Sequence, residues 1–164
     1  MELLAVIVAR GHPMFASCFG FQLLVRALGG EVSYTPETME LGTYRLTLTE
    51  AGQADELFRM LSPVFCAQLG HKDKATVMPA GISNLAYSDL APFQALRVPE
   101  KPIWATQFHP ELNWEENLGR LKRYIDLYTP VLTKAELKET IERFQPSPET
   151  GKLIPAFMKL VFDF

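Results

Sequence analysis

Cysteine is scarce in this chain: Cys18 and Cys66 are the two among 164 residues. They stand in unlike surroundings, so a disulfide framework is excluded as the basis of the fold. Excess positive charge is lacking as well. Sixteen Lys and Arg face nineteen Asp and Glu, a formal net charge of −3, with no basic cluster. That removes the electrostatic footprint of a nucleic-acid binder. Long hydrophobic runs are missing too. The apolar opening Leu3–Ala9 follows Glu2 rather than a basic region. It is too short to span a bilayer and lacks the layout of a secretory signal. Repeats, Cys/His metal spacings, carboxylate pairs and phosphate-cradling glycine loops are also absent. We therefore expect no metal, no other cofactor, no membrane contact and a cytoplasmic protein. What is present is an ordinary globular composition, 48% hydrophobic and 21% charged. It suits one domain with a sizeable core. We expect a single domain over 1–164, with a core to about 128 and a helical extension over about 129–164.

The hydrophobic pattern predicts helices over Glu2–Arg10, Phe19–Leu28, Glu50–Leu61, Trp114–Tyr128, Thr133–Phe144 and Lys152–Phe162. Thr133 and Glu136 form a capping-box pattern, and Leu118, Leu121, Tyr124, Ile125 and Tyr128 share one helical face. Strands are expected at Met14–Ser17, Glu31–Thr35, Tyr44–Thr49, Val64–Leu69, Thr76–Met78, Ser83–Ser88, Phe93–Val98 and Ile103–Phe108. Mixed strands followed by a helical tail fit one α/β domain.

Two of these junctions carry chemistry. The strand Met14–Ser17 breaks into a helix at Cys18-Phe19-Gly20-Phe21-Gln22, the pattern of a nucleophile elbow. Gly20 leaves room for the helix to pass close to the strand, and the helix N-terminus favours a thiolate. A lone cysteine is more often a small buried hydrophobe, and Cys66, with no elbow around it, reads as core packing. The second junction is Phe108-His109-Pro110-Glu111, at the carboxyl end of a strand, where sites form in open α/β sheets. His109 is the candidate general base. Glu111, two residues on in an extended segment, points the same way and can orient the imidazole. His12 precedes a proline in a turn and reads as solvated; His71, at a strand end, is the rival base.

C-x-G-x-Q followed by Q-F-H-P-E, with Gly29-Gly30-Glu31-Val32, Glu40-Leu41-Gly42-Thr43, Gly70-His71-Lys72-Asp73 and Ala91-Pro92-Phe93-Gln94-Ala95 between them, resembles the class I glutamine amidotransferase family. The resemblance runs from about Glu2 to about Glu111 and has the flavour of GMP-synthetase-like glutaminase domains. It implies a flavodoxin-like α/β fold and Cys18–His109–Glu111 hydrolysis of the glutamine side-chain amide with release of ammonia. It also implies that Phe19 N–H is one oxyanion donor and that Gln22 hydrogen-bonds the substrate L-glutamine. The backbone at Gly70, Lys72 and Asp73 would grip the substrate's α-amino and carboxylate groups. Gly70 departs from the serine usual there, and Phe21 occupies a site often His or Met.

Family members open with two or three βα units before the cysteine strand, one of whose loops supplies the second oxyanion donor. Two such units need roughly 60 residues at ~30 each, whereas only Glu2–Arg10 precedes the strand here. The expectation is an N-terminally truncated version of the fold, impaired as a glutaminase. Three readings stay open. One is a glutaminase completed by another chain or segment and feeding ammonia to a synthetase. The second is a non-catalytic interaction protein that keeps the triad but not the activity; the isolated chain is in any case expected to self-associate, as in a homodimer. The third is a γ-glutamyl hydrolase using the same cysteine chemistry.

Overall fold

The computed structural model describes residues 2–128 and 130–162. In chain order it contains α1 (Glu2–Arg10), β1 (Met14–Ser17), α2 (Phe19–Ala27), β2 (Glu31–Tyr34), β3 (Glu40–Leu48), α3 (Glu50–Ala54) and β4 (Val64–His71). There follow β5 (Asp73–Val77), β6 (Ser83–Tyr87), β7 (Ala95–Val98), β8 (Ile103–Thr106), α4 (Trp114–Arg123), α5 (Lys134–Glu142) and α6 (Leu153–Phe162).

Six strands form one mixed sheet in the order β1-β8-β7-β6-β3-β4, and β2 with β5 forms a small second sheet. β1 runs parallel to β8; the other pairs of the large sheet are antiparallel. Alternation along β8 explains how the sheet is covered. Trp104 joins a core with Phe65, Phe108 and Phe157 of α6. Ile103 and Ala105 point to the other face and pack with Val8 of α1 and Phe21, Leu24 and Val25 of α2. A smaller cluster of Leu41, Leu121 and Phe144 ties α4 and the end of α5 to β3. Helices on both faces of a partly parallel sheet give the flavodoxin-like α/β arrangement expected from the sequence.

Several boundaries differ from the hydrophobic pattern, each for a local reason. The helix expected to Leu61 stops at Ala54, because Asp55 Oδ1 accepts the N–H groups of Leu57 and Phe58, both at 2.9 Å. Gly52 in that helix is required by contact: a Cβ there would lie 2.0 Å from Leu85 O. β3 already begins at Glu40, running through Gly42 at φ 108°, a backbone state open chiefly to glycine. β5 starts at Asp73, since pairing with β2 extends to Tyr34. The helix expected to Tyr128 ends at Arg123. There the Tyr124 N–H is shared between the carbonyls of Arg120 and Leu121, and Lys72 Nζ draws Leu127 O toward the sheet.

Candidate active site

The backbone at Cys18 takes φ 49° and ψ −103°, a strained left-handed-side conformation for a residue with a Cβ. Two contacts hold it. The Cys18 N–H donates to Thr106 O of β8 at 2.7 Å, continuing the parallel ladder one residue past β1. A Cβ on Gly20 would stand 3.1 Å from that of Ala16, so any other residue there would press α2 away from its own strand. The elbow thus forms as the motif predicts. Phe19 follows with its side chain 68% exposed, and its N–H lies at the open first turn of α2, where donors have no partner within the helix.

β8 delivers the opposing group. Beyond Thr106 the chain stays pinned: Gln107 N–H donates to Gln94 O and His109 N–H to Gln68 O, each at 2.8 Å. His109, 6% exposed, faces the elbow and the Cys18 thiol, itself 9% exposed. Its Nδ1 lies 2.6 Å from Glu111 Oε1, which also accepts from Ser17 Oγ at 3.2 Å. Burial opposes a charge on His109, while hydrogen bonds and attraction to Cys18 and Glu111 favour it and push its pKa up to about 9. Burial likewise raises Glu111, but the His109 partner outweighs it and holds the carboxyl below its ordinary value. The Glu111 carboxylate thus orients the His109 ring beside a thiol.

Three residues at the site were not singled out from the sequence. Gln107 Nε2 approaches Cys18 Sγ at 3.7 Å, and Gln107 Oε1 accepts from Gln22 Nε2 at 3.2 Å. Arg120 Nη1 stands 2.7 Å from His109 Nε2. Tyr128 has its phenol pushed up by burial, pulled down by Arg120 and raised by Cys18, so it shares their neighbourhood. Gln107 was visible within Q-F-H-P-E. Arg120 and Tyr128 sit on a charged helix and the turn after it, with no motif to mark them.

The expected binding residues gather nearby. Gln22 is buried and donates to Asp73 O at 2.8 Å, so the elbow helix is tied to the Gly70–Asp73 segment. Lys72 lays its ammonium 4.7 Å from the Tyr128 ring centroid and donates to Leu127 O. Gly70 lies beneath Arg120, where an added Cβ would be 3.8 Å from Nη1.

His71, the rival base, is elsewhere engaged. Its Nδ1 pairs with Asp73 O at 3.0 Å, and its Nε2 lies 3.1 Å from Glu40 Oε2, off the direction of a hydrogen bond. The buried Glu40 carboxylate is bonded by Ser88 Oγ at 2.7 Å and Gln94 Nε2 at 2.6 Å. This network knits β3, β4 and the β6–β7 connection together. Cys66, expected in the core, is instead half-buried on β4 opposite Arg45. Its position corrects the packing reading. Among the described residues no group of three His, Cys, Asp or Glu could hold a metal, and no helix is long and apolar enough to cross a membrane.

Comparison with known proteins agrees with the architecture. Residues 1–121 match the family model "Glutamine amidotransferase class-I". The glutamine-hydrolyzing GMP synthase subunit of Methanocaldococcus jannaschii is 36% identical over 100 residues, 61% of this chain and 51% of that protein. The same-named protein of Methanosarcina mazei is 32% identical over 120 residues, covering 71% of this chain and 61% of its own length. The chain thus spans little more than half the length of the curated relatives it matches. Among solved structures, a protein described as SMU.1228c superposes over 97% of this chain and 67% of its own, at TM-score 0.76 and 23% identity. A glutamine amidotransferase from Thermotoga maritima covers 97% and 66%, at TM-score 0.72 and 18% identity. These structures share the fold, and with the family match over residues 1–121, this chain belongs to the class I glutamine amidotransferase family.

Proposed function

We propose that this chain carries the thiol-nucleophile centre of a glutaminase, with Cys18, His109 and Glu111 as its reacting set. The observation that carries the reading is the strained elbow at Cys18 facing a His109–Glu111 couple held at 2.6 Å. A thiol so placed, with a base oriented by a third group, is the arrangement of an activated nucleophile.

Each step follows from those positions. His109 accepts the thiol proton as sulfur bonds to the side-chain amide carbon of L-glutamine, and the carbonyl π electrons move to oxygen. Phe19 N–H donates to that oxyanion; each such donor is worth ~10²–10³ in rate. Collapse breaks the C–N bond, and ammonia leaves with the proton that His109 held. Water, deprotonated by His109, then attacks the γ-glutamyl thioester, and the thiol recovers its proton. Gln22 and the backbone at Gly70, Lys72 and Asp73 hold the substrate. The ammonia passes to a synthetase partner, in keeping with the GMP synthase components found among the relatives.

A glutamine-like chloroketone, L-2-amino-4-oxo-5-chloropentanoate, tests the assignment. Peptide mapping is expected to find the label on Cys18 and none on Cys66, and Cys18→Ala is expected to abolish labelling. Label shared equally by both thiols would defeat the reading.

A further inference from the structure

Arg120 reaches His109 from α4, with Nη1 2.7 Å from Nε2. A guanidinium has donors and no acceptor, so Nε2 must present a lone pair to it. Glu111 lies 2.6 Å from the other ring nitrogen, and an ionised carboxylate accepts only. The two contacts together define one species: a neutral imidazole with its proton on Nδ1. The Nε2 lone pair is the one a general base turns toward the Cys18 thiol, and here the guanidinium competes for it at 2.7 Å.

Arg120 is well placed to leave. Among the described residues, the ion pairs are His71–Glu40, Arg97–Glu56, His109–Glu111 and Lys138–Glu142, which give Arg120 no carboxylate. Its guanidinium lies over Gly70, at 3.8 Å from where a Cβ would be. Gly70 begins the segment to which the glutaminase reading assigns the substrate's α-carboxylate. A carboxylate accepts two parallel guanidinium N–H bonds, a stronger partner than one imidazole lone pair.

We propose that Arg120 is a positioning residue that latches His109 as a neutral base and transfers to the α-carboxylate of an incoming γ-glutamyl amide, freeing Nε2 for Cys18. This rests on the glutaminase reading and adds to it a means by which substrate arms the base. It also assigns specificity: an amide lacking an α-carboxylate leaves the latch closed. The groups facing His109 fit the scheme. Cys18 approaches from the elbow and Glu111 from its own loop, and both favour a charged ring. Arg120 on α4 opposes it, Gln68 of β4 accepts the His109 backbone N–H through its carbonyl, and the Tyr128 phenol feels the charges of Cys18 and Arg120.

Two measurements on the unmodified and variant chains test this. The first is the side-chain ¹⁵N spectrum of His109 without ligand, assigned by its loss in His109→Gln. The wild type is expected to show the neutral Nδ1–H form at pH 7. Arg120→Met is expected to let the ring charge at pH 7 and to titrate at a higher pH than the wild type, and Arg120→Lys to restore much of the neutral form. A charged ring in the wild type, or one titration curve for all three, overturns the latch. Arg120→Gln replaces the methionine variant if that one does not fold.

The second compares alkylation of Cys18 by the carboxylate-bearing chloroketone with that by chloroacetone. Loss of a charge-assisted contact corresponds to about 10–100-fold, so Arg120→Met is expected to lower the wild-type preference by that factor. An unchanged preference overturns the carboxylate transfer. If the wild type shows no preference and Cys18 reacts no faster than Cys66, the glutaminase reading has failed. The spectrum still decides whether the latch exists.

Discussion

β1 and β8 run side by side in the same direction, and each ends in one half of the proposed reacting pair. Their registers match residue for residue, Met14 with Ile103 through Ser17 with Thr106. Their surroundings do not. All four residues of β8 are buried, whereas all four of β1 are half-buried, because among the described residues β1 has β8 as its single neighbour in the sheet. His109, the proposed base, therefore projects from the interior of the sheet, and Cys18, the proposed nucleophile, from its margin. A rigid inner strand suits a group that must hold one tautomer and orientation. A marginal strand suits a thiol that must meet a substrate arriving from outside.

The largest effect that sharpens this contrast comes from Phe15 and Trp104, register partners that both pack edge-on against Phe157, at 5.6 and 5.7 Å between centroids. Trp104 also donates to Asp55 at 3.1 Å and lies under the Arg97 guanidinium at 3.5 Å. Trp104→Ala is expected to cost about 3–5 kcal/mol in urea unfolding. Phe15→Ala, losing a side chain already partly in water, is expected to cost about half that, ~2 kcal/mol. Equal costs would show that something covers β1 in solution and would break the comparison.

Glu111→Gln comes next, because it links the two strands through Ser17 and His109. It keeps the shape and removes the charge that orients and supports the imidazole. Alkylation of Cys18 by the chloroketone is expected to slow by ~10²-fold, with urea stability at pH 7 changed far less. The pH dependence has a definite sign. The Glu111 pKa is lowered from 4.5 on folding, so its contribution is fully present above 4.5. It is lost as pH falls from there through the lower native value. The wild type should therefore lose stability on that acid limb, and Glu111→Gln should flatten it; parallel acid curves would remove Glu111 from the couple.

These particulars explain what was legible in the sequence. The elbow could be read because strand, cysteine, glycine and helix are contiguous, and steric necessity at Gly20 leaves a local signature. His109 and Glu111 could be read for the same reason, being two residues apart, although Pro110 and Glu111 form a turn, with Leu112 N–H on His109 O, and not the extended segment expected. Arg120 could not. It reaches His109 from a helix rich in charge, where an arginine reads as solvent-facing until the packing of α4 on β3 and β4 is known. The early end of the third helix was equally hidden, since the Asp55 side chain competes with the helix for its N–H groups. His71 and Cys66 could be separated from Cys18 and His109 by motif context, but their partners, Glu40 and the β4 surface, come from tertiary structure.

Gly20→Ala probes the contact between β1 and its own helix. The new methyl would meet Ala16 Cβ at 3.1 Å, closer than ordinary van der Waals contact, while alanine improves helix propensity by up to ~1 kcal/mol. Overpacking of about 1–3 kcal/mol should still win, leaving a net loss of ~1 kcal/mol. The pair Gly20→Ala with Ala16→Gly should recover part of it as a coupling energy. A Gly20→Ala protein as stable as the wild type would mean that the margin of the sheet yields, which β8 could not do.

The smallest energetic effect concerns the free edge itself. In a parallel ladder alternate residues turn their N–H and C=O to opposite sides. Met14 and Cys18 donate to Pro102 O and Thr106 O on the β8 side, so Phe15 and Ser17 direct theirs away from the sheet. Each backbone bond is worth only about 0.5–1.5 kcal/mol net, but an uncovered edge is a template for another strand. Hydrogen exchange on a dilute polypeptide of residues 1–164 is expected to be fast at Phe15 and Ser17 and slow at Ala16 and Trp104. Raising the protein concentration is expected to slow exchange at Phe15 and Ser17 while light scattering rises, as two edges pair and hide the half-buried side chains of β1. Protection of those two amides that is already high in dilute monomer would mean that the edge is closed from within the chain. Cys18 would then sit in an interior as fixed as that of His109.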